Sequence, residues 1–197
     1  MTPETAASAG GQLVVWSARL MAGLWFTRVL LDVLSFRRIL PGQKPAELAL
    51  RRIRLVWTAG AIVCAVHLGL TFAVVHQWSQ TRAMEETARQ TAELLGVSVG
   101  WGVYANELFC LIWLADAAGW WITGDDPLRA RPALLRLRDL GFASMMFFAT
   151  AVFGPWFWRP VSAVALVFWL VLRWNFAASI TLRQESPSVR HPPEDVD

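Results

Sequence analysis

The sequence predicts an all-α integral membrane protein, a bundle of about five transmembrane helices with a short amphipathic helix on its outer side. Three observations predict it. Five apolar stretches are long enough, or nearly so, to cross ~30 Å of hydrocarbon at ~1.5 Å per residue. Basic residues gather in the loops between them. Tryptophan is abundant, with twelve among 197 residues against a single Tyr, and its ring suits the headgroup level, half in hydrocarbon and half wet.

Composition points the same way. Hydrophobic residues make up 55% of the chain and charged ones 17%, against an ordinary globular share of roughly 25% charged. The net charge of +3 raises the question of an acidic partner. Nucleic acid is excluded by position, because the basic residues flank apolar spans, where charge sets orientation. Cys64 and Cys110 both lie inside apolar spans and form no secreted disulfide framework. No basic residue stands between Met1 and Gly11, so a signal-peptide n-region and cleavage of the first helix are not expected.

The first span runs over about 12–34 and is interrupted by Arg19, Arg28 and Asp32. The second, about 55–76, has His67 as its only ionisable interior residue. The third, about 99–122, contains Glu107 and Asp116. The fourth, about 137–153, is short and stops at Gly154-Pro155. The fifth, about 158–181, holds Arg173 near its middle. Residues 1–182 thus read as one bundle, and 183–197, with Pro187, Pro192 and Pro193, as a disordered tail. Trp101, Trp120, Trp121, Trp156 and Trp158 fall near span ends, whereas Trp113 and Trp169 fall inside and need another explanation.

The loops orient the bundle. Between the first two spans lie Arg37, Arg38, Lys44, Arg51, Arg52 and Arg54, opposed only by Glu47. Between the third and fourth lie Arg129, Arg131, Arg136 and Arg138, mixed with Asp125, Asp126 and Asp139. The remaining loops are poorer in basic residues. The positive-inside rule places the basic loops in the cytoplasm, the N-terminus outside and the tail inside, in a cell (inner) membrane. The one sizeable outer segment, Ser79 to Leu95, lacks Pro and Gly and reads as a helix. Met84, Ala88, Thr91 and Leu95 give it a mildly apolar face. It is expected to lie on the membrane surface or to extend the second helix.

Ionisable groups in hydrocarbon cost at least a few kcal/mol each, so they face the bundle interior and find partners. Counted from the outer end, Arg19 lies ~11 Å deep, Glu107 ~12 Å and His67 ~14 Å. A second layer holds Arg28 at ~24 Å, Asp116 at ~26 Å and Arg173 at ~20 Å or more. Each layer contains an acid and a base. Asp116 is therefore expected to pair with Arg28 or Arg173, and His67 with Glu107. On the second helix Gly60, Cys64, His67 and Thr71 share one small, polar stripe, and His76 points the other way, towards the outer water boundary.

Cys64-x-x-His67 and Glu107-x-x-Cys110 lie at similar depth on successive helices. Thiolate, imidazole and carboxylate would suit zinc or another transition metal. The plainer reading makes the cysteines small hydrophobes and His67 a hydrogen-bonded core histidine. Haem is limited to a single histidine ligand, since His67 and His76 face opposite sides ~14 Å apart along one helix. A quinone pocket lined by Trp113, Trp120 and His67 is a related reading. Gly100 and Gly102 lack the strand-turn-helix setting and lysine of a phosphate loop, and read as close helix contact or a flexible membrane entry. No hydrolase triad is present in the pattern, and an enzyme is the less expected class.

Three function classes remain: a proton-, ion- or solute-handling module built on His67, Glu107 and Arg19; an accessory or structural subunit of a membrane complex; and a redox subunit holding haem or quinone. The expected partners are the lipid bilayer and another membrane protein or a second copy.

Overall fold

The computed structural model describes residues 8–38, 47–128, 130–152, 154, 156, 159–164 and 167, the side chains of 33–38 apart. The described residues contain helices, turns and no strand. The helices are α1 (Ala9–Arg38), α2 (Glu47–Val74), α3 (Gln80–Leu95), α4 (Gly102–Thr123) and α5 (Pro132–Phe147), with α5 continued by a π-helical turn, Phe148–Val152. Ser8 caps α1, its hydroxyl accepting the Gly11 N–H at 3.1 Å. Residues 159–164 are helical, and the Ser162 hydroxyl donates to Thr150 Oγ1 at 2.7 Å, tying that segment to the π-turn.

Pairwise contacts give the topology. Gly10 meets Val74, Ser17 meets His67 and Arg28 meets Trp57, so residue numbers rise on α1 as they fall on α2. Gly60 meets Trp113 and Trp57 meets Asp116, which makes α2 and α4 antiparallel as well. Asp116 meets Arg138 while Trp113 meets Phe142, and α4 and α5 follow the same rule. The long helices run alternately up and down.

Two helices are long and apolar enough to cross a membrane: α1 over Ala9–Asp32, and α2 throughout. Their apolar length is mostly not buried within the chain. Leu13, Trp16, Leu20 and Leu30 on α1, Leu55, Ile62 and Val66 on α2, and Leu108, Leu111 and Ile122 on α4 are exposed. The core lies between α1, α2, α4 and α5, where Met21, Ile53, Trp57, Ala61, Trp113, Ala117, Phe142 and Met146 are buried. Trp113 is its centre, with no exposed surface. Its ring lies 4.9 Å from Trp57, 5.5 Å from Phe109 and 5.4 Å from Phe142, centroid to centroid. That explains a tryptophan in mid-helix: it is the hub of an aromatic cluster. Gly60 makes room for it, since a Cβ there would lie 2.5 Å from Trp113 Cζ2.

Several expected boundaries shift. Helix α2 begins at Glu47, so Arg51, Arg52 and Arg54 sit on its first turns instead of in a loop. Helix α5 likewise begins at Pro132, a residue suited to the first helical turn. The expected fifth span and the tail lie almost wholly outside the described residues.

Helix α3 is separate from α2. Gln77 (φ 52°) and Trp78 (φ 59°) reverse the chain in the left-handed region, which is uncommon for residues other than glycine. Ser79 then caps α3, its Oγ accepting the Arg82 N–H. Gly96 (φ 72°) ends the helix, and the Val99 N–H donates to buried Thr91 Oγ1 at 2.8 Å. Gly100 lies against the α3 backbone, where a Cβ would be 2.9 Å from the Met84 carbonyl oxygen. Close helix contact is therefore the reason for that glycine. His76 is buried beneath this turn, edge-on to Phe72 at 5.5 Å.

Candidate functional site

The connection between α4 and α5 folds back on the bundle and builds an ion cluster there. Gly124 (φ 75°) ends α4 in the left-handed conformation. Pro127 comes so close to Gly119 that a Cβ on that glycine would meet its ring at 3.0 Å. The Asp126 N–H donates to Asp125 Oδ1 at 2.7 Å, and Asp126 Oδ1 accepts the Leu128 N–H at 2.9 Å. These bonds aim the Asp126 carboxylate inward, at a residue on the second turn of α5.

That residue is Arg138. Its Nη1 and Nη2 donate to the two oxygens of Asp126 at 2.9 and 2.8 Å, a bidentate pair. Its Nη1 also reaches Asp116 Oδ1 on α4 at 3.1 Å, and its Nη2 reaches Asp139 Oδ1 at 3.0 Å. The other Asp116 oxygen accepts the Trp57 indole N–H at 2.7 Å, which draws α2 into the network. The side chains of Asp116, Arg138 and Asp126 are 6%, 9% and 11% exposed. Burial at this level makes each charge depend on its partners.

Arg28 of α1 lies behind the same residues, 7% exposed. Its guanidinium carbon is 5.5 Å from the Trp57 ring centroid and 5.2 Å from that of Trp120, and it pairs with Asp32 one turn on. Trp120 is accordingly buried with the arginine and is not a headgroup anchor, whereas Trp101, Trp121 and Trp156 are exposed. Among the described residues, the guanidiniums of Arg28 and Arg138 thus lie with the carboxylates of Asp32, Asp116, Asp126 and Asp139. The network can hold α2, α4 and α5 together.

The expected inner pairing is corrected here: Asp116 bonds Arg138 and Trp57, and Arg28 bonds Asp32. Arg173 lies outside the described residues. In the expected outer layer, the His67 ring and Ser17 Oγ on α1 are hydrogen-bonded through Nδ1 at 3.0 Å. Glu107 Oε1 accepts from Gln80 on α3 at 2.9 Å. The two expected partners thus each bond a different residue. The Arg19 guanidinium lies over the Trp16 ring at 4.7 Å.

Cys64 and Cys110 are both buried and belong to the same core cluster. His67 and Glu107 do not join them. Among the described residues no three His, Cys, Asp or Glu side chains converge to hold a metal, which corrects the four-ligand reading. The quinone slot expected at Trp113, Trp120 and His67 is filled by protein, because Trp57, Phe109 and Phe142 pack around Trp113 while Arg28 covers Trp120.

The Arg138 cluster escapes sequence reasoning because Arg138, Asp126 and Asp139 look like loop charges. One signal was available. The first basic loop is nearly free of acids, whereas the second interleaves Asp125, Asp126 and Asp139 with its arginines. Comparison with known protein families, curated proteins and solved structures gives no match.

Proposed function

We propose that the chain is a multi-pass protein of the cell (inner) membrane, with its N-terminus outside and its basic loops cytoplasmic, serving as an accessory or structural subunit of a membrane complex. One observation carries this reading. The described ion cluster is neutralised mainly within the chain, and the Trp57–Trp113–Phe109–Phe142 aromatic cluster separates it from the His67 layer. A close-packed aromatic cluster between two polar layers favours a rigid bundle over a conducting path. The exposed apolar rows on α1, α2 and α4 exceed what a water-soluble surface ordinarily carries, and suit lipid or partner helices. The predominantly basic loops supply the orientation.

A second reading is a proton-handling module, in which the buried carboxylates of Asp116 and Asp126 beside Arg138 are the ionisable groups inside the bundle.

One experiment separates the two. Purified protein is placed in liposomes with a trapped pH-sensitive dye, and native membranes are solubilised gently and sized. The accessory reading expects no proton flux above empty liposomes, together with a discrete complex larger than the chain. Flux abolished by Asp126→Asn would reject it in favour of proton handling.

A further inference from the structure

The arginines of the bundle are not all used alike. Arg28 pairs with Asp32, Arg89 with Glu86 and Glu93, and Arg138 with three aspartates. Arg54, on the third turn of α2, has no such acid among the described residues, and its buried Nε has no hydrogen-bond partner. What holds it is aromatic. Its guanidinium carbon lies 4.3 Å from the ring centroid of Trp121 on α4. The Trp121 indole N–H donates to Thr58 Oγ1 at 2.9 Å, and the Thr58 hydroxyl donates to the Arg54 carbonyl at 2.8 Å. The three residues close a ring of contacts that holds the cation against an indole which is itself half exposed.

A guanidinium stacked by one face keeps its edge for other partners, and that edge matches two oxygens of a phosphate. The start of α2, Glu47 to Arg54, holds three arginines against one glutamate, and Arg51 and Arg52 are exposed. Further along the helix the surface turns apolar. Leu55, Ile62 and Val66 are exposed and, at i, i+7 and i+11, share one face, with Arg54 and Thr58 at its edge towards α4. From Arg54 to Val66 is about 18 Å at the helical rise, close to the roughly 15 Å of one leaflet's hydrocarbon. A charged end and an apolar row of leaflet length are the two halves of a phospholipid. We propose that Arg54, seated on Trp121, binds the phosphodiester of an anionic phospholipid whose acyl chains lie along the row of Leu55, Ile62 and Val66.

A lipid fits both halves, whereas free phosphate would meet only the cation and leave the row uncovered. The net positive charge at this end of α2 selects an anionic headgroup over a zwitterionic one. Trp121 lies just beyond Asp116 on α4, so the headgroup would brace α2 against α4 at the end that Arg138 closes. The inference rests on the membrane reading above, which places this basic end, and hence the lipid, in the cytoplasmic leaflet.

The test uses the full chain, stripped of lipid in mild detergent and titrated with phosphatidylglycerol or with phosphatidylcholine of the same acyl length. Binding is read by native mass spectrometry. Phosphatidylglycerol should bind about tenfold more tightly, and Arg54→Gln should remove that preference. Arg54→Lys, which keeps the charge and loses the bidentate edge, should retain part of it. Arg82→Gln, an equal loss of charge on α3, should leave it unchanged. Inorganic phosphate in excess should not displace the lipid. Equal binding of the two lipids by the unaltered chain overturns the site, whatever the variants do. An equal loss of preference in Arg82→Gln and Arg54→Gln overturns it too, as the mark of diffuse charge. Displacement by inorganic phosphate overturns the lipid assignment, and so does a dimer that excludes added lipid, since a second copy then covers the row. A chain that stays in membranes through an alkaline carbonate wash but shows no lipid preference loses the site and keeps the membrane reading. Release by that wash overturns the membrane reading, and the site with it.

Discussion

At the scale of single residues, one glycine and one arginine decide most of the arrangement. Gly60 is the position where α2 gives way to Trp113. A methyl group there would sit 2.5 Å from a ring carbon, and the ring cannot retreat because Trp57, Phe109 and Phe142 surround it. Gly60→Ala should therefore destabilise the bundle by about 1–3 kcal/mol, the usual cost of overpacking, despite the better helix propensity of alanine. Thermal unfolding in detergent checks this, and an unchanged or raised midpoint would contradict the close approach. The interior stripe with Gly60 and Cys64 is legible in the sequence, because helical periodicity alone defines a face. The pairing of Asp116 with Arg138 is not. Depth counting matches only charges well inside the spans, and Arg138, at the very start of the expected fourth span, counts with the loop charges although the helix begins at Pro132. Nor do the spacings reveal that His67 and Glu107 turn to Ser17 and Gln80, since both are short-range choices among several polar neighbours.

At the scale of elements, α3 was the most legible. Its alanine, glutamate and glutamine content, and the absence of Pro and Gly between Ser79 and Leu95, mark a helix, and the structure starts it one residue after Ser79. The break that separates it from α2 was not legible, because Gln77 and Trp78 are not residues that advertise a left-handed backbone. The exposed side of α3 carries an ion network: Arg89 reaches Glu86 and Glu93, each at 2.6 Å. The Arg89 guanidinium draws the Glu86 carboxyl down from its ordinary 4.5 to about 2. A depressed acid contributes stability that is fully present above its unfolded value and lost as pH falls through the folded one. Protection of the α3 amides against hydrogen exchange should therefore stay level above pH 4.5 and weaken between 4.5 and about 2. Glu86→Gln should remove that acid dependence at little cost near neutral pH, as for other exposed helix pairs. Protection that falls equally in the variant would assign the acid sensitivity to another group.

At the scale of the whole molecule, the up-and-down order of α1, α2, α4 and α5 was legible from the apolar spans and the basic loops. What joins them was not. A count of apolar residues says how long a helix is, but which helices touch depends on pairs such as Gly60 with Trp113 and Trp57 with Asp116. Arg138 gathers Asp116, Asp126 and Asp139 into a clasp that closes this end of the bundle. A double-mutant cycle on unfolding free energy tests whether the clasp holds the helices together. Arg138→Gln should cost ~3 kcal/mol or more, because it leaves buried carboxylates facing one another. Asp116→Asn alone should cost ~1 kcal/mol, since an amide oxygen can still accept the Trp57 N–H. Combined, the two changes should cost less than their sum by ~1 kcal/mol or more, the coupling of direct contacts. The same cycle with Arg28→Gln should show a smaller coupling to Asp116. If Asp116 couples to Arg28 and adds independently to Arg138, the clasp is not what holds the bundle.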